Sequence, residues 1–208
     1  MQTTRGTSLT EHDSPDKAGG PPLRPSMRRI ILLGTVAVAV IVIDLLTKLA
    51  VVANMTMYDT HDVVDGLLKI TYTRNAGAAF SVGEGMTAVF GLVAIAVAVA
   101  IVRTARTLRS LTWAITLGLL LGGAIGNLGD RVFRSPGFLR GHVVDWIELP
   151  HWPVFNLADS AIVCGGVIAV ILSWRGIAVD GSHDKRHGLP AAHEHTGQEH
   201  DPAEAVES

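Results

Sequence analysis

Four long apolar runs, separated by short polar segments, dominate the chain between residues 30 and 174. The first extends from Ile30 to about Val52 and reads IILLGTVAVAVIVIDLLTKLAVV. At about 1.5 Å per residue a helix of this length crosses a hydrocarbon core of about 30 Å. The second, Met86 to Val102, holds no charged residue. The third, Leu111 to about Leu128, places glycine at 118, 122 and 126, a four-residue spacing that lets helix backbones approach closely. The fourth, Phe155 to Trp174, has a comparable small-residue stripe at Ala161, Gly165 and Ala169. The pattern predicts four transmembrane helices.

The connecting segments have a different character. Residues 53–84 contain LLKITYTRNAGAAFSVG, in which Leu68, Ile70 and Tyr72 alternate before a polar, glycine-containing stretch. Period-two alternation over so few residues predicts a short strand or hairpin lying against the membrane surface. Small residues around Gly77 let the backbone approach a neighbour closely. Residues 131–153 form a second exterior segment, with Arg131, Arg134 and Arg140 and then Asp145 inside VVDWIEL. Trp146 and Trp152 suit an interface where amphipathic rings settle. Residues 1–26 and 176–208 are polar and are expected to form disordered tails around a membrane domain at 27–175. The fold class expected is an all-α membrane protein of four spanning helices with a small extracellular β-sheet.

Composition supports a membrane protein. Charged residues make up 17 % of the chain, against about a quarter in a soluble domain. The net charge of −2 argues neither for nor against nucleic acid, but no folded segment carries a clustered basic surface, so no nucleic-acid partner is expected. The single cysteine, Cys164, lies in an apolar run and rules out an internal disulfide or a cysteine metal site. His183, His187, His193, His195 and His200 match no compact ligand set, so neither a metal nor a cofactor is expected. Nine basic residues (24, 28, 29, 103, 106, 109, 175, 185, 186) fall on one side of the four spans and five (69, 74, 131, 134, 140) on the other. That bias places both termini in the cytoplasm.

The polar residues inside or beside the apolar runs gather at one end. Asn127 and Asp130, Asp145, and Asn156 and Asp159 fall at the outer face, with Asp44 and Lys48 at a similar depth late in the first helix. Asn127 and Asp130 stand three residues apart, as do Asn156 and Asp159, so each pair shares a face if its segment is helical. Asp44 and Lys48 have the spacing of a neutralising ion pair. Ionisable groups at the edge of a bilayer are costly and read as functional. Two carboxylates that converge in a medium of low dielectric cannot both ionise easily, so the pair shares a proton. The ionised member can then deprotonate a water while the protonated member donates to a scissile carbonyl. No serine or cysteine nucleophile motif, H-E-x-x-H or phosphate loop competes with this chemistry. For Asp130, directly before Arg131, ion pairing explains the residue as well as catalysis does. Asp145, between Val144 and Trp146, has no adjacent base.

Five segments together resemble the lipoprotein signal peptidases, or signal peptidase II. They are IDLLTK (43–48), TRNAGAAFS (73–81), GGAIGNLGDR (122–131), GHVVDWIE (141–148) and FNLADSA (155–161). The resemblance implies an inner-membrane aspartyl endopeptidase, free of cofactors, with its active site near the outer face; the oligomeric state is open, with a monomer favoured. Such an enzyme removes the signal peptide from diacylglyceryl-modified prolipoproteins, cutting ahead of the lipidated cysteine, and is inhibited by globomycin. By motif, the resemblance puts the catalytic pair on Asp145 and Asp159. It puts the supporting set on Asp44, Lys48, Asn75, Gly77, Asn127, Asp130, Arg131, Asn156 and Ala158, and a small extracellular cradle at about 65–82. The competing class is a non-enzymatic membrane binding or transport protein with its charges along a substrate path. Transport favours ionisable groups through the bilayer depth, whereas here they cluster at one end.

Overall fold

The computed structural model describes residues 26–77 and 85–182. Four helices carry the apolar runs: α1 (Met27–Asn54), α2 (Gly85–Thr104), α3 (Leu111–Phe133) and α4 (Leu157–Trp174). Each is long and apolar enough to cross a membrane. Large apolar side chains project from them into the surroundings, among them Ile31, Leu46, Leu92 and Val170. A soluble monomer does not tolerate so wide an apolar surface, and lipid contact accounts for it. Three strands complete the fold: β1 (Thr60–Val64), β2 (Leu68–Asn75) and β3 (Val143–Glu148).

Helix α3 is the centre of the bundle. It packs extensively on α1, on α4 and on α2, whereas the main helical partner of α2 is α3. Glycine explains the close approach. A Cβ added to Gly118 would lie 2.9 Å from the Leu33 carbonyl oxygen, and one added to Gly122 would lie 2.8 Å from that of Ala37. Both glycines therefore bring the α1 backbone against α3. Gly126, next in the stripe, faces Asp44 Oδ2 at 2.8 Å from the same ideal position. From the α4 side, Gly165 meets Leu120 and the Thr116 carbonyl.

The three strands form one antiparallel sheet in the order β1-β2-β3. The β1–β2 pair is the hairpin expected from the alternation at 68–72, although it begins at Thr60, ahead of the cradle placed at 65–82. Residues 78–82 of that cradle lie outside the described residues. The third strand comes from the second exterior segment and sets Thr73 opposite Asp145 and Asn75 opposite Val143. Val144 and Tyr72 on this sheet bury themselves against Val51 near the end of α1. That contact fixes the sheet to the bundle.

Two boundaries differ from those read in the sequence. Helix α3 continues five residues past Leu128 to Phe133, so Asn127, Asp130 and Arg131 are helical. Helix α4 starts at Leu157, not Phe155, and Asn156 is its N-cap in extended conformation. Residues 177–182, assigned to the C-terminal tail, are held against the loop between α2 and α3. There Trp113 Nε1 donates to the Ile177 carbonyl at 2.7 Å, and Arg109 and Ser110 N–H both donate to that of Val179. The histidines from 183 onward and the segment 1–25 lie outside the described residues.

Gly122→Val is expected to destabilise the detergent-solubilised protein by about 1–3 kcal/mol, the cost of overpacking against a backbone that cannot yield. Gly129→Ala, whose added Cβ meets nothing within 4 Å, is expected to hold or gain up to about 1 kcal/mol from helix propensity. Thermal unfolding of the two variants checks both.

Candidate active site

The C-terminal half of the first span supplies the foundation of the site. Asp44 and Lys48 sit one turn apart on α1 with their side chains 1 % exposed, and the Lys48 ammonium lies 2.7 Å from Asp44 Oδ2. Lys48 Nζ also lies 2.9 Å from Asp130 Oδ2 and donates to Asn127 Oδ1 at 3.0 Å. One buried ammonium thus uses its three donors on two helices. Asp130 is shared further: Arg134 Nε pairs with its Oδ1, and the backbone N–H of Val144 donates to its Oδ2 at 3.2 Å. Two acids and two bases balance in charge, and the last contact ties α3 to the strand that carries Asp145. The ion pair weighed for Asp130 in the sequence is therefore made, with Lys48 and Arg134, while Arg131 is turned elsewhere.

The start of α4 is built by reciprocal capping. Asn156 Oδ1 accepts from the Asp159 N–H at 2.9 Å, and Asp159 Oδ2 accepts from the Asn156 N–H at 3.2 Å. This is a capping box, so the three-residue spacing of Asn156 and Asp159 reflects helix initiation and not a shared face. Asp44 Oδ1 accepts from the Ala158 N–H at 3.0 Å, satisfying another N–H of the first turn from α1. Ala158 is fully buried there, where a larger side chain would enter the α1–α3–α4 junction.

Asn156 joins the two candidate aspartates. Its Nδ2 donates to Asp145 Oδ1 at 2.6 Å and to Asn127 Oδ1 at 3.2 Å. Asn127 in turn donates through Nδ2 to Asp159 Oδ1 at 2.7 Å. The second oxygen of Asp145 accepts from Asn75 Nδ2 at 2.9 Å. Asn75 is aimed by its own backbone, since its Oδ1 accepts from the Gly77 N–H at 2.7 Å in a turn where Gly77 takes φ +100°. Only glycine adopts that φ without strain. Asp145 is 1 % exposed. Burial pushes its carboxyl up to about 6, against the hydrogen bond from Asn75, with the nearby Asp159 charge adding to the rise.

The structure thus brings all eleven sequence-derived candidates to one end of the bundle. Three asparagines bond the two aspartates, and Arg131 hydrogen-bonds to neither. Its guanidinium lies over the Phe90 ring at 5.4 Å, and its Nη1 is buried with no hydrogen-bond partner among the described residues. Beneath it opens an apolar cavity of about 260 Å³, walled by Val93 and Val97 of α2, Leu120 of α3 and Ile162 of α4, with Asn127 and Arg131 at its polar end. Neither aspartate lines this cavity directly; Asn127 connects it to Asp159. Among the described residues no group of three histidine, cysteine or acidic side chains could hold a metal. Sequence reasoning weighed Arg134 as one of three arginines that could pair with the aspartates, and it does pair with Asp130. It did not single out Thr87 or Phe90, since a threonine and a phenylalanine in an apolar helix carry no distinguishing pattern.

The model of the family described as Signal peptidase (SPase) II matches residues 36–175. The lipoprotein signal peptidase of Streptomyces coelicolor is 52 % identical over 158 residues, covering 76 % of this chain and 78 % of that protein. That of Rhodococcus jostii is 45 % identical over 177 residues, covering 85 % and 89 %. A bacterial membrane enzyme solved by the in meso method at 1.9 Å resolution superposes with a TM-score of 0.62 at 30 % identity, covering 74 % of this chain and 97 % of its own. The matched region begins within α1 and contains the other three helices and the sheet, and with them every residue of the polar cluster, so the chain belongs to the signal peptidase II family, the lipoprotein signal peptidases.

Proposed function

We propose that this membrane protease removes signal peptides from prolipoproteins by aspartyl hydrolysis, with Asp145 and Asp159 as the reacting pair. The observation that carries the reading is the shared Asn156, which bonds both carboxylates, neither of which has a cation as direct partner among the described residues. Asp44 and Asp130 are instead held by Lys48. A carboxylate committed to an ion pair is poorly suited to carry a proton, whereas Asp145, raised by burial, retains one at mildly acidic pH. In the proposed step Asp159 takes a proton from a water, the resulting hydroxide attacks the scissile carbonyl carbon, and Asp145 gives its proton to the carbonyl oxygen. Collapse of the tetrahedral intermediate breaks the C–N bond. The proton taken up by Asp159 passes to the leaving amine, and the diol proton returns to Asp145.

The remainder of the site suits a substrate that arrives from the bilayer. Helix α2 packs mainly on α3, and the cavity beneath Arg131 lies among α2, α3 and α4. An apolar signal segment or acyl chain entering there would meet the Nη1 of Arg131, which has no hydrogen-bond partner among the described residues and suits a peptide or ester carbonyl. We place the cut ahead of a diacylglyceryl-modified cysteine, the site at the outer face, both termini in the cytoplasm, and the enzyme as a monomer. A transport role is not favoured, because the polar groups gather at one end of the bundle and α2 offers no ionisable group among the apolar residues of its span.

Cleavage of a diacylglyceryl-modified prolipoprotein by purified enzyme tests this reading. Asp145→Asn and Asp159→Asn are each expected to lose activity by about 10²–10⁴-fold or more while remaining folded. Full activity in both would overturn it. The pH profile supplies a second check. Asp145 must be protonated, so kcat/KM is expected to fall as pH rises through about 6, the value for the free enzyme. A profile flat from pH 5 to 8 would remove Asp145 as the proton donor.

A further inference from the structure

Thr87 is the most deeply buried polar side chain of α2, at 1 % exposed, and it serves no partner within its own helix. A threonine in an apolar helix ordinarily returns its hydroxyl to a carbonyl one turn back. Here Oγ1 instead donates to the carbonyl of Ala76, eleven positions earlier in the chain. Ala76 stands between Asn75, which bonds Asp145, and Gly77, whose N–H fixes the Asn75 side chain. One turn further along α2, Phe90 closes on the same point: an ideal Cβ on Gly77 would lie 3.0 Å from its ring. The Arg131 guanidinium lies over the same ring, 5.4 Å from its centroid. Thr87 and Phe90 therefore hold the turn at 75–77 from the helix that borders the apolar cavity.

We infer that Thr87 and Phe90 are positioning residues that hold Asn75 on Asp145, so that the placement of α2 beside the apolar cavity sets the alignment of the reacting pair. The inference rests on the dyad reading above and extends it to a helix that contributes no charged group to the site. Because α2 has α3 as its main helical support, its upper turn depends on these contacts and on Gly91, which faces Leu139 and Arg131. A substrate seated between α2 and α4 would press on the same turn. Occupancy of the cavity and alignment of Asn75 are then mechanically linked.

The test is Thr87→Val, which keeps the side-chain shape and removes the donor, with Thr87→Ser as the conservative restoration. The readouts are kcat/KM across pH and the unfolding midpoint. Asn75 donates to Asp145 and favours its ionised form, so loosening Asn75 raises the carboxyl further. The other charges that act on Asp145 are those of Asp159 on α4, Lys48 on α1 and Arg131 on α3, and the substitution touches none of them. Thr87→Val is expected to lower kcat/KM by ~10-fold, the equivalent of one hydrogen bond, and to move the alkaline limb upward from about 6. Thr87→Ser is expected to restore both. Phe90→Leu, which keeps apolar volume and loses the ring, is expected to act in the same direction. A Thr87→Val enzyme with unchanged kcat/KM and an unmoved limb overturns the inference. So does one whose midpoint falls while the limb stays in place, since that is a structural role alone. Asp145→Asn in the same assay separates the two readings. Activity in that variant overturns the dyad itself, whereas its inactivity beside a normal Thr87→Val overturns only the positioning role.

Discussion

A single buried ammonium holds the polar end of this bundle together. Lys48 has no solvent to satisfy it, and its three donors go to Asp44 on its own helix and to Asp130 and Asn127 on α3. Each of those acceptors reaches on to another element. Asp44 caps α4 through the Ala158 N–H, Asp130 holds β3 through the Val144 N–H, and Asn127 bonds Asp159. Removing one member of a buried charge set leaves its partners uncompensated, at a cost of about 3–5 kcal/mol. The polar groups of this region are therefore interdependent, and together they restrict how α1, α3, α4 and the sheet can meet.

The division of labour among the four aspartates follows from their partners. Asp44 and Asp130 face cations and backbone N–H groups, which makes them fasteners. Asp145 and Asp159 face asparagines, which orient a carboxylate without neutralising it. An amide can donate to a carboxylate in either protonation state of the pair, whereas a lysine would lock it ionised. The three asparagines are in turn oriented by groups that leave them little choice. Lys48 and Asn156 occupy the oxygen of Asn127, the Gly77 N–H occupies that of Asn75, and the Asp159 N–H occupies that of Asn156. Each side-chain nitrogen is thereby turned toward an aspartate.

Most of the fold was legible from the chain because its main features are local. Apolar runs of membrane length, glycines at four-residue spacing and an i,i+4 acid–base pair need no distant partner to be recognised. The features that were missed depend on residues far apart in sequence. Strand β3 is six residues long and pairs with β2 some seventy positions earlier, so Asp145 could be read as exterior but not as part of a sheet. Asn156 and Asp159 have the spacing of a helix face and of a capping box alike, and only the starting point of α4 decides between them. Thr87 looks like any threonine in an apolar helix until its hydroxyl is followed to Ala76. The candidate site was legible as a set of residues, whereas its wiring was not.

The most direct test of Lys48 as the fastener of the polar end is the stability of Lys48→Met, an apolar side chain of similar length. The measurement is the unfolding midpoint of the purified protein in detergent, followed through the tryptophans. The expected result is a loss of about 3–5 kcal/mol, because the substitution leaves two buried carboxylates without their shared cation. A variant that unfolds at the wild-type midpoint and still cleaves its substrate would contradict the dependence of the site on this one charge.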